Sequence, residues 1–272
     1  MTTNQIKGLN RNTIDKFYTD LSYANKCIEY IKKNVEISKD DLIIEPSAGN
    51  GSFMEGIKSL NKNYKFYDIE PENEEIIKQD YLLLDTSDLQ KNKVHIIGNP
   101  PFGRQASLAI KFIKKSCEFA ESISFILPKS FKKDSMRNKF NENFHLLFEE
   151  DVPINSFIVN GKMYDVPCVF QIWKKQTSPR VKIEKLTPEH FEFVKIDENP
   201  DISFRRVGVY AGKIDTDTEK SEQSHYFIKF TNNKSVKSNL EKLKSITFNF
   251  NNTVGPRSIS KQELIKEFDK VL

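Results

Sequence analysis

The stretch of the chain that decides its fold reads Ile43-Ile44-Glu45-Pro46-Ser47-Ala48-Gly49-Asn50-Gly51-Ser52-Phe53. A short apolar run ends at an acidic residue and a proline, a turn of small residues follows, and the pattern of a helix then begins. Glycines in such a turn let the backbone approach a ligand more closely than a Cβ atom would allow. The stretch therefore predicts a cofactor-binding loop, with a purely structural turn as the alternative, and its candidate residues are Glu45, Pro46, Ala48, Gly49 and Gly51.

This loop differs from two better-known nucleotide-binding loops. It is not the dinucleotide fingerprint, because Phe53-Met54 occupies the place of the third glycine. It also lacks the lysine of the phosphate-binding loop, which disfavours ATP as its ligand.

Strand-like and helix-like segments alternate around this loop. The predicted strands are 41–44, 63–67, 94–98, 123–127 and 166–174, and the predicted helical segments are 25–34, 52–60, 72–78 (a single turn) and 107–121. The apolar runs are too continuous for burial on one side only, so they indicate an α/β fold with a mostly parallel sheet covered on both faces.

The pattern changes near Thr177-Ser178-Pro179. Alternating, strand-like stretches follow at 191–196, 203–210, 225–230 and 246–250. A terminal helix is predicted over 261–272, with Ser260 and Glu263 as its capping box. We therefore expect a first domain over residues 1–178 and a smaller, β-rich α+β domain over residues 180–272.

Composition excludes several classes of protein. The 272 residues include 42 Lys and Arg, 38 Asp and Glu, 4 His and 3 Cys, for a net charge of +4. No apolar run reaches the roughly 18 residues of a membrane helix, and the polar N-terminus does not read as a signal peptide. The cysteines are far apart and the histidines scattered, so we expect neither disulfides nor a metal site, and we expect an intracellular, reducing compartment, either cytoplasm or nucleus.

Two further motifs follow the next strands along the chain. Asp68 ends the strand after the glycine turn, where a carboxylate can accept hydrogen bonds from both hydroxyls of a ribose, and Ile69 would lie against the adenine. For Asp68 taken alone, a solvated turn residue is the alternative.

The second motif is Asn99-Pro100-Pro101-Phe102, which directly follows a buried strand. Two consecutive prolines hold the main chain rigid and donate no hydrogen bonds. That rigidity can hold the Asn99 amide oxygen and the Pro100 carbonyl as two converging acceptors, which match the two hydrogens of an exocyclic amine. Phe102 offers a flat face on which a planar ring can stack.

Together these motifs resemble those of the class I S-adenosylmethionine-dependent methyltransferases, in the amino-methylating branch whose catalytic loop reads Asn/Asp/Ser-Pro-Pro-Phe/Tyr/Trp. Their order is similar to that of the γ-type adenine-N6 DNA methyltransferases. The resemblance covers about Asp15 to Lys175 and includes the segments Asp15-Lys16-Phe17-Tyr18-Thr19 and Gln79-Asp80-Tyr81-Leu82. It implies a Rossmann-like sheet, S-adenosylmethionine as cofactor, and a second domain like a target-recognition domain.

The resemblance also implies a role for each matching residue. It implies that the methionine end of the cofactor is bordered by Tyr18, Thr19, Glu45, Ala48 and Gly49. The ribose would be bound by Asp68, and the adenine would be contacted by Ile69, Asp80 and Tyr81. The target base would be held by Asn99, Pro100 and Phe102. A second aromatic residue against the base is expected at Tyr164, for which an ordinary loop residue is the alternative.

The implied reaction needs alignment more than activation. A sulfonium methyl group is already electrophilic, so the protein must align the amine with it. Two acceptors on the amine hydrogens favour the sp3-like nitrogen and stabilise its developing charge. A cysteine nucleophile is not needed, and Cys168 lies within a hydrophobic strand pattern that predicts burial.

A nucleic-acid substrate would have to present its base outside a duplex, either flipped out or in a single strand. Basic residues that could contact its phosphates are Lys129, Lys132 and Lys133 in the first domain and Arg205, Arg206, Arg257 and Lys261 in the second. A solvated face, or a role in stabilising the fold, is the alternative for each.

We expect DNA as the substrate, and three alternatives stay open. An RNA or mRNA-cap adenosine-N6 methyltransferase would share the same catalytic loop. A protein glutamine methyltransferase typically has tyrosine in the last position of the motif, so Phe102 argues against it. A binding module that keeps the fold without turnover is the alternative from outside the enzymes.

Overall fold

The computed structural model describes residues 17–181, 184–250, 252–253 and 256–272. Asp15 and Lys16, which the family resemblance includes, lie outside these residues. The chain separates into two compact units, Met1–Val181 and Lys182–Leu272, and each is described by itself.

The first unit alternates strands and helices as the sequence predicts. Its described strands are β1 (Tyr18–Thr19), β2 (Leu42–Glu45), β3 (Tyr64–Asp68), β4 (Ile77–Lys78), β5 (Val94–Gly98), β6 (Ser122–Pro128), β7 (Phe144–Asp151), β8 (Phe157–Val159), β9 (Lys162–Tyr164) and β10 (Cys168–Lys175). Its described helices are α1 (Leu21–Asn34), α2 (Met54–Leu60), α3 (Ser107–Phe119) and α4 (Asp134–Arg137).

Seven of these strands form one sheet in the order β4-β3-β2-β5-β6-β10-β7. The neighbours from β4 to β6 are parallel, whereas β10 is antiparallel to both β6 and β7. The order reverses between β2 and β5, and ligands of parallel α/β sheets bind at such a reversal. This is the Rossmann-like methyltransferase sheet that the family resemblance implies, and the predicted α/β fold is confirmed.

Both faces of the sheet are covered because its central strands are apolar throughout. Ile43 of β2 packs in one buried cluster with Ile28 and Ile57 from the helices α1 and α2. The next residue, Ile44, points to the opposite face and packs in a second cluster with Ile113 of α3. Successive strand residues thus supply two cores, as expected for a sheet between two helix layers.

The sequence-based interpretation of this unit is wrong at one segment and misses one strand of the large sheet. The acidic segment 72–78 contains no helix and ends in the short strand β4. The strand β7 is absent from the sequence-based interpretation, because its half-buried Glu149 and Glu150 hide the alternation that marks a strand. It is recognised only by its pairing with β10.

A separate three-stranded sheet has the order β1-β8-β9. Tyr18 pairs with Ile158, and the backbone N–H of Asp20 donates to the Ser156 carbonyl at 2.8 Å. Asp20 then caps α1, its side chain accepting from the Ser22 backbone N–H at 3.0 Å. These contacts fix the chain segment immediately before α1.

The second unit contains strands β11 (Phe191–Val194), β12 (Ile202–Arg205), β13 (Ile214–Asp215) and β14 (His225–Phe230), and helices α5 (Val236–Leu243) and α6 (Lys261–Phe268). The sheet order is β11-β14-β12-β13 and its pairs are antiparallel. The capping box at Ser260 and Glu263 is confirmed. A strand was expected over 246–250, but those described residues form none, and the sequence-based interpretation missed α5. Across the described ranges of the chain, none of the helices has the length and apolar character needed to cross a bilayer.

Candidate active site

A pocket of about 230 Å³ opens at the carboxyl ends of β2, β3 and β5, where the strand order reverses. It brings together most of the residues that sequence reasoning selected. Those that line it are Tyr18, Thr19, Glu45, Pro46, Ala48, Gly49, Asp68, Ile69, Asp80, Tyr81, Asn99, Pro100, Pro101 and Phe102. The three sequence motifs, far apart along the chain, thus meet in one cavity.

The glycine turn is shaped by its backbone. Gly49 has a φ of +55°, and a Cβ atom there would lie 3.0 Å from the Tyr18 ring. The Tyr18 hydroxyl in turn donates to the Glu72 carboxylate. Gly51, with a φ of +89°, does not line the pocket, and a Cβ atom there would collide with Met54. The missing Cβ of Gly49 therefore lets the Tyr18 ring pack against the backbone of the turn, and Gly51 permits the positive φ that the turn needs.

Asp68 holds this turn as well as facing the pocket. Its Oδ2 accepts from the Gly49 backbone N–H at 2.8 Å, and its Oδ1 accepts from the Glu70 backbone N–H at 2.8 Å. A carboxylate has about four acceptor positions, so each oxygen keeps one lone pair for a ligand. The structural role of Asp68 in the turn is a feature that the sequence did not indicate.

Glu45 is a buried acid in the wall of the pocket, with 2% of its surface exposed. Its Oε2 has no hydrogen-bond partner within the part of the chain that the structure describes. Burial, together with repulsion from Asp68, raises the pKa of Glu45 to about 8. An unpartnered buried carboxyl oxygen is unfavourable, and a positively charged ligand group would remove that penalty.

Asn99 is held by its amide nitrogen. The nitrogen donates to the Phe17 carbonyl at 3.0 Å and to Thr19 Oγ1 at 3.2 Å. Because a backbone carbonyl can only accept, this pair of contacts assigns the NH2 end of the amide. The amide oxygen is left as an acceptor, and Asn99 is one of the residues that line the pocket.

The rest of the catalytic loop is tied to the start of α3. The Phe102 carbonyl accepts from the backbone N–H groups of Leu108 at 3.0 Å and Ala109 at 3.3 Å. Between these points Gln105 and Ala106 both adopt positive φ angles, of 54° and 59°. Left-handed backbone at two successive non-glycine residues is strained and is typical of functional loops.

Tyr81 lies differently from the expected role. Its hydroxyl bonds to Ser116 Oγ at 2.8 Å and its ring stacks on Phe112, so it is a core residue whose edge reaches the pocket. Asp80 caps the following turn through the Leu82 backbone N–H at 2.9 Å. Ile69, by contrast, is half exposed at the pocket.

The remaining predicted residues lie outside the pocket lining. Tyr164 contacts the ring of Phe17 at a centroid distance of 5.7 Å. Lys129 and Lys132 both bind Asp151, at 3.1 and 2.7 Å. Lys133 follows them in the same basic segment and is half-buried.

In the second unit the four predicted basic residues make internal contacts. Arg206 and Lys261 lie over the Tyr226 ring, Arg257 lies over Phe250, and Arg205 donates to the Val207 carbonyl. The stabilising role that sequence reasoning kept as an alternative is therefore supported for these residues.

Sequence reasoning missed the partners that orient the catalytic loop. The Phe17 carbonyl is a backbone atom and carries no sequence signal. The Ser47 hydroxyl, which donates to the Asn99 carbonyl at 3.2 Å, lay within the quoted glycine turn but was not selected.

The residues present fit S-adenosylmethionine. Gly49 lines the pocket without a side chain, Asp68 keeps acceptors for ribose hydroxyls, and the orphaned Oε2 of Glu45 suits a cationic group. The structure describes no group of three His, Cys, Asp or Glu side chains arranged to hold a metal ion.

Comparison with known proteins agrees with this geometry. Residues 36–181 match the model of the EDM2 methyltransferase-like domain. Protein ENHANCED DOWNY MILDEW 2 of Arabidopsis thaliana is 27% identical over 153 residues, which is 51% of this chain but only 11% of that protein.

Two solved structures illustrate the likeness of fold. The 23S rRNA methyltransferase ErmE is 15% identical, with a TM-score of 0.47 over 61% of this chain and 72% of its own. The protein Thermoplasma acidophilum 1320 is 23% identical, with a TM-score of 0.41 over 59% of this chain and 89% of its own. Because the family match spans more than half of the chain, the protein belongs to the family of the EDM2 methyltransferase-like domain.

Proposed function

We propose that this chain is an S-adenosylmethionine-dependent methyltransferase that methylates the exocyclic N6 amine of adenine in nucleic acid, with DNA as the expected substrate. The orientation of the Asn99 amide carries the proposal. Its nitrogen is occupied by the Phe17 carbonyl and Thr19, so its oxygen is the atom that can accept a hydrogen bond from a ligand.

The catalytic loop supplies two acceptors for one amine. The Asn99 oxygen and the Pro100 carbonyl would each accept one hydrogen of the N6 group and so draw its lone pair out of conjugation. Pro101 has no N–H that could compete for these acceptors. Phe102 lines the same pocket and would stack on the adenine ring.

The cofactor would be held by the part of the pocket wall that β2, β3 and the loops after them form. When bound, S-adenosylmethionine supplies an electrophilic methyl group. Glu45 would face its positively charged end, Asp68 its ribose, and Ile69 its adenine. Gly49 lines the same pocket, so the cofactor could lie against its backbone with no side chain between them.

The target base would be read outside a duplex, because an N6 amine inside a base stack cannot reach the Asn99 and Pro100 acceptors in this pocket. Lys129, Lys132 and Lys133 are the candidates for phosphate contacts in this unit. Asp151 neutralises part of the charge of the first two, so we expect them to contribute modestly.

Product analysis tests the proposal directly. The protein is incubated with methyl-labelled cofactor and matched pools of double-stranded DNA, single-stranded DNA, capped RNA and protein, followed by digestion and nucleoside mass spectrometry. We expect label in N6-methyldeoxyadenosine. Label in N6-methyladenosine of RNA would replace the DNA assignment, and label in a protein glutamine would overturn the adenine assignment. Cofactor binding without labelled product in any pool would indicate a non-catalytic module.

A further inference from the structure

A second pocket lies on one face of the sheet in the unit Lys182–Leu272. Along β12, Ile202 and Phe204 enter the apolar core, whereas Ser203 and Arg205 point to the other face. The register pairs Arg205 with His225 of β14. The pocket is also lined by Tyr210, Lys213, Asp215 and Lys220. We call this cavity the basic pocket.

The charge of the basic pocket comes chiefly from Arg205. Its guanidinium is held by neutral acceptors, since Nε donates to the Val207 carbonyl at 2.9 Å and Nη1 to Ser224 Oγ at 3.1 Å. The two lysines have acidic neighbours, Lys213 at 3.5 Å from Asp215 and Lys220 in contact with Asp217. A guanidinium held rigidly in this way is well suited to bind a phosphate group.

His225 adds a titratable group to the same wall. Its Nδ1 lies 3.1 Å from Ser224 Oγ, the hydroxyl that also accepts from Arg205, and 3.2 Å from the Ser221 carbonyl. Partial burial and the charges of Arg205 and Lys220 hold the pKa of His225 below its ordinary value, against the opposing effects of the Ser221 carbonyl and Asp215. An anion bound nearby would favour protonation of this ring.

Tyr210 supplies an aromatic face beside these charges. It is 73% exposed and lies in a turn between Gly208 and Gly212, whose φ angles are +98° and +96°. A large, exposed aromatic ring next to cationic groups is the arrangement that binds unpaired bases, whose π-faces are free to stack.

We propose that the basic pocket binds one nucleotide of a single-stranded nucleic acid, with its phosphate at Arg205 and His225 and its base on Tyr210. The choice of nucleic acid as the ligand rests on the proposed function. Bases of an intact duplex are already stacked on their neighbours, so single strands should bind in preference to duplexes.

Binding of the full chain to fluorescently labelled single-stranded oligonucleotides tests the pocket. We expect Tyr210→Ala to weaken binding by about fivefold or more, the effect of losing one stacked base. Lys213→Ala should weaken it by about threefold and reduce the salt dependence. Val209→Ala and Lys244→Ala are the matched controls, because Val209 is 79% exposed beside Tyr210, and the side chains of Lys213 and Lys244 are 66% and 68% exposed in comparable ion pairs.

The ligand class is tested with competitors and pH. Wild-type affinity should rise as the pH falls from about 7 to about 5, because the pKa of His225 lies below its ordinary value of about 6.5, and His225→Gln should remove that rise. Equal loss in test and control variants, or stronger binding of duplexes than of single strands, would overturn the proposal. Competition by inorganic phosphate together with unchanged binding by Tyr210→Ala would reduce the pocket to an anion site and also overturn it.

The same variants separate this proposal from the proposed function. S-adenosylmethionine binding, measured by calorimetry, should be unchanged in Tyr210→Ala, because the cofactor pocket lies in the first unit. Oligonucleotide binding through the basic pocket without methyl transfer would leave this proposal standing and overturn the proposed function. Methyl transfer at the wild-type rate in both Tyr210→Ala and Lys213→Ala would overturn this proposal and leave the proposed function standing.

Discussion

Thr19 joins strand β1 to the catalytic loop. Its side chain is buried, and its Oγ1 accepts one of the two hydrogen bonds that orient the Asn99 amide. The other is accepted by the backbone carbonyl of Phe17, which no substitution can remove cleanly. Thr19 is therefore the side chain through which the orientation of Asn99 can be tested.

We expect Thr19→Val to lower kcat by about two- to tenfold, the value of one hydrogen bond of about 0.5–1.5 kcal/mol. Thr19→Ser keeps the hydroxyl and should restore the rate. The measurement is single-turnover methyl transfer, with cofactor affinity measured in parallel. A loss of similar size in both variants would mean that Thr19 acts by packing rather than through Asn99.

Glu45 predicts a pH dependence of cofactor affinity. Its folded-state pKa of about 8 means that it is mostly protonated at lower pH in the free protein. A cationic ligand favours the ionised form, so binding should release a proton and affinity should fall as the pH decreases from about 8 to about 6. Glu45→Gln cannot titrate and should lose this component.

The measurement is calorimetry of cofactor binding in buffers of different ionisation enthalpy. Titration of the cofactor's own amine is common to both proteins, so the difference between wild type and Glu45→Gln isolates the carboxyl group. Equal proton release by the two proteins would refute the assignment of Glu45 to the cationic end of the ligand.

At the scale of elements, the starts of three parallel strands are joined by a buried network. His95 of β5 bonds through Nδ1 to Ser122 Oγ at 2.7 Å and through Nε2 to Asp41 Oδ2 at 3.1 Å. The residue types match a hydrolytic triad, but Ser122 is buried and all three lie at strand starts, away from the carboxyl-end pocket. The network therefore stabilises the sheet.

We expect His95→Ala to reduce the free energy of unfolding by about 1–3 kcal/mol, because it leaves the buried Ser122 hydroxyl without its partner and removes one of the two hydrogen bonds at Asp41 Oδ2, which keeps the Ser38 N–H at 2.7 Å. Burial lowers the pKa of His95, so the folded state favours the neutral ring. The stabilisation by neutral His95 is fully present above about pH 6.5, the pKa of a histidine in the unfolded chain. It is lost as the pH falls from there through the lower pKa of the folded state. Urea unfolding at about pH 7.5 and about pH 5.5 measures both effects.

His145→Ala is the control, since His145 is half-buried and its Nε2 bonds to the Ser178 carbonyl. An equal loss of stability in both variants would contradict a special role for the buried network.

The elements that the sequence predicted correctly are those with a strong local pattern. The strand β2, the glycine turn and the loop at Asn99 each have apolar runs or fixed turn residues. The strands β4 and β7 were missed because their formation depends on pairing with β3 and β10. The contact of Asn99 with the Phe17 carbonyl could not be predicted, since the two residues are 82 positions apart in the chain.

At the scale of the whole molecule, the chain combines a cofactor-binding unit with a second unit that has its own core. Composition could not show how the basic residues are used. Lys129 and Lys132 share Asp151, and Arg206 and Lys261 share the Tyr226 ring, and both arrangements depend on tertiary packing. A modest net charge of +4 is consistent with local rather than global attraction of nucleic acid.

The double variant Lys129→Ala/Lys132→Ala tests the first of these clusters. If both lysines contact phosphates, affinity should fall and the salt slope should decrease by about 0.7–0.9, the value for one charge, because Asp151 neutralises the other. The control is Lys32→Ala/Lys33→Ala, which removes two exposed charges from the end of α1. Binding is measured against salt concentration, with circular dichroism to verify folding. An unchanged slope would place this cluster outside the interface.

The central claim is that Asn99 acts on the target amine and not on the cofactor, and one measurement on Asn99→Ala tests it most directly. Single-turnover methyl transfer and cofactor affinity are determined on the same preparation. We expect the rate to fall by about a hundredfold or more while the dissociation constant of the cofactor changes by less than about threefold. A wild-type rate, or a loss of rate explained entirely by weaker cofactor binding, would contradict the account.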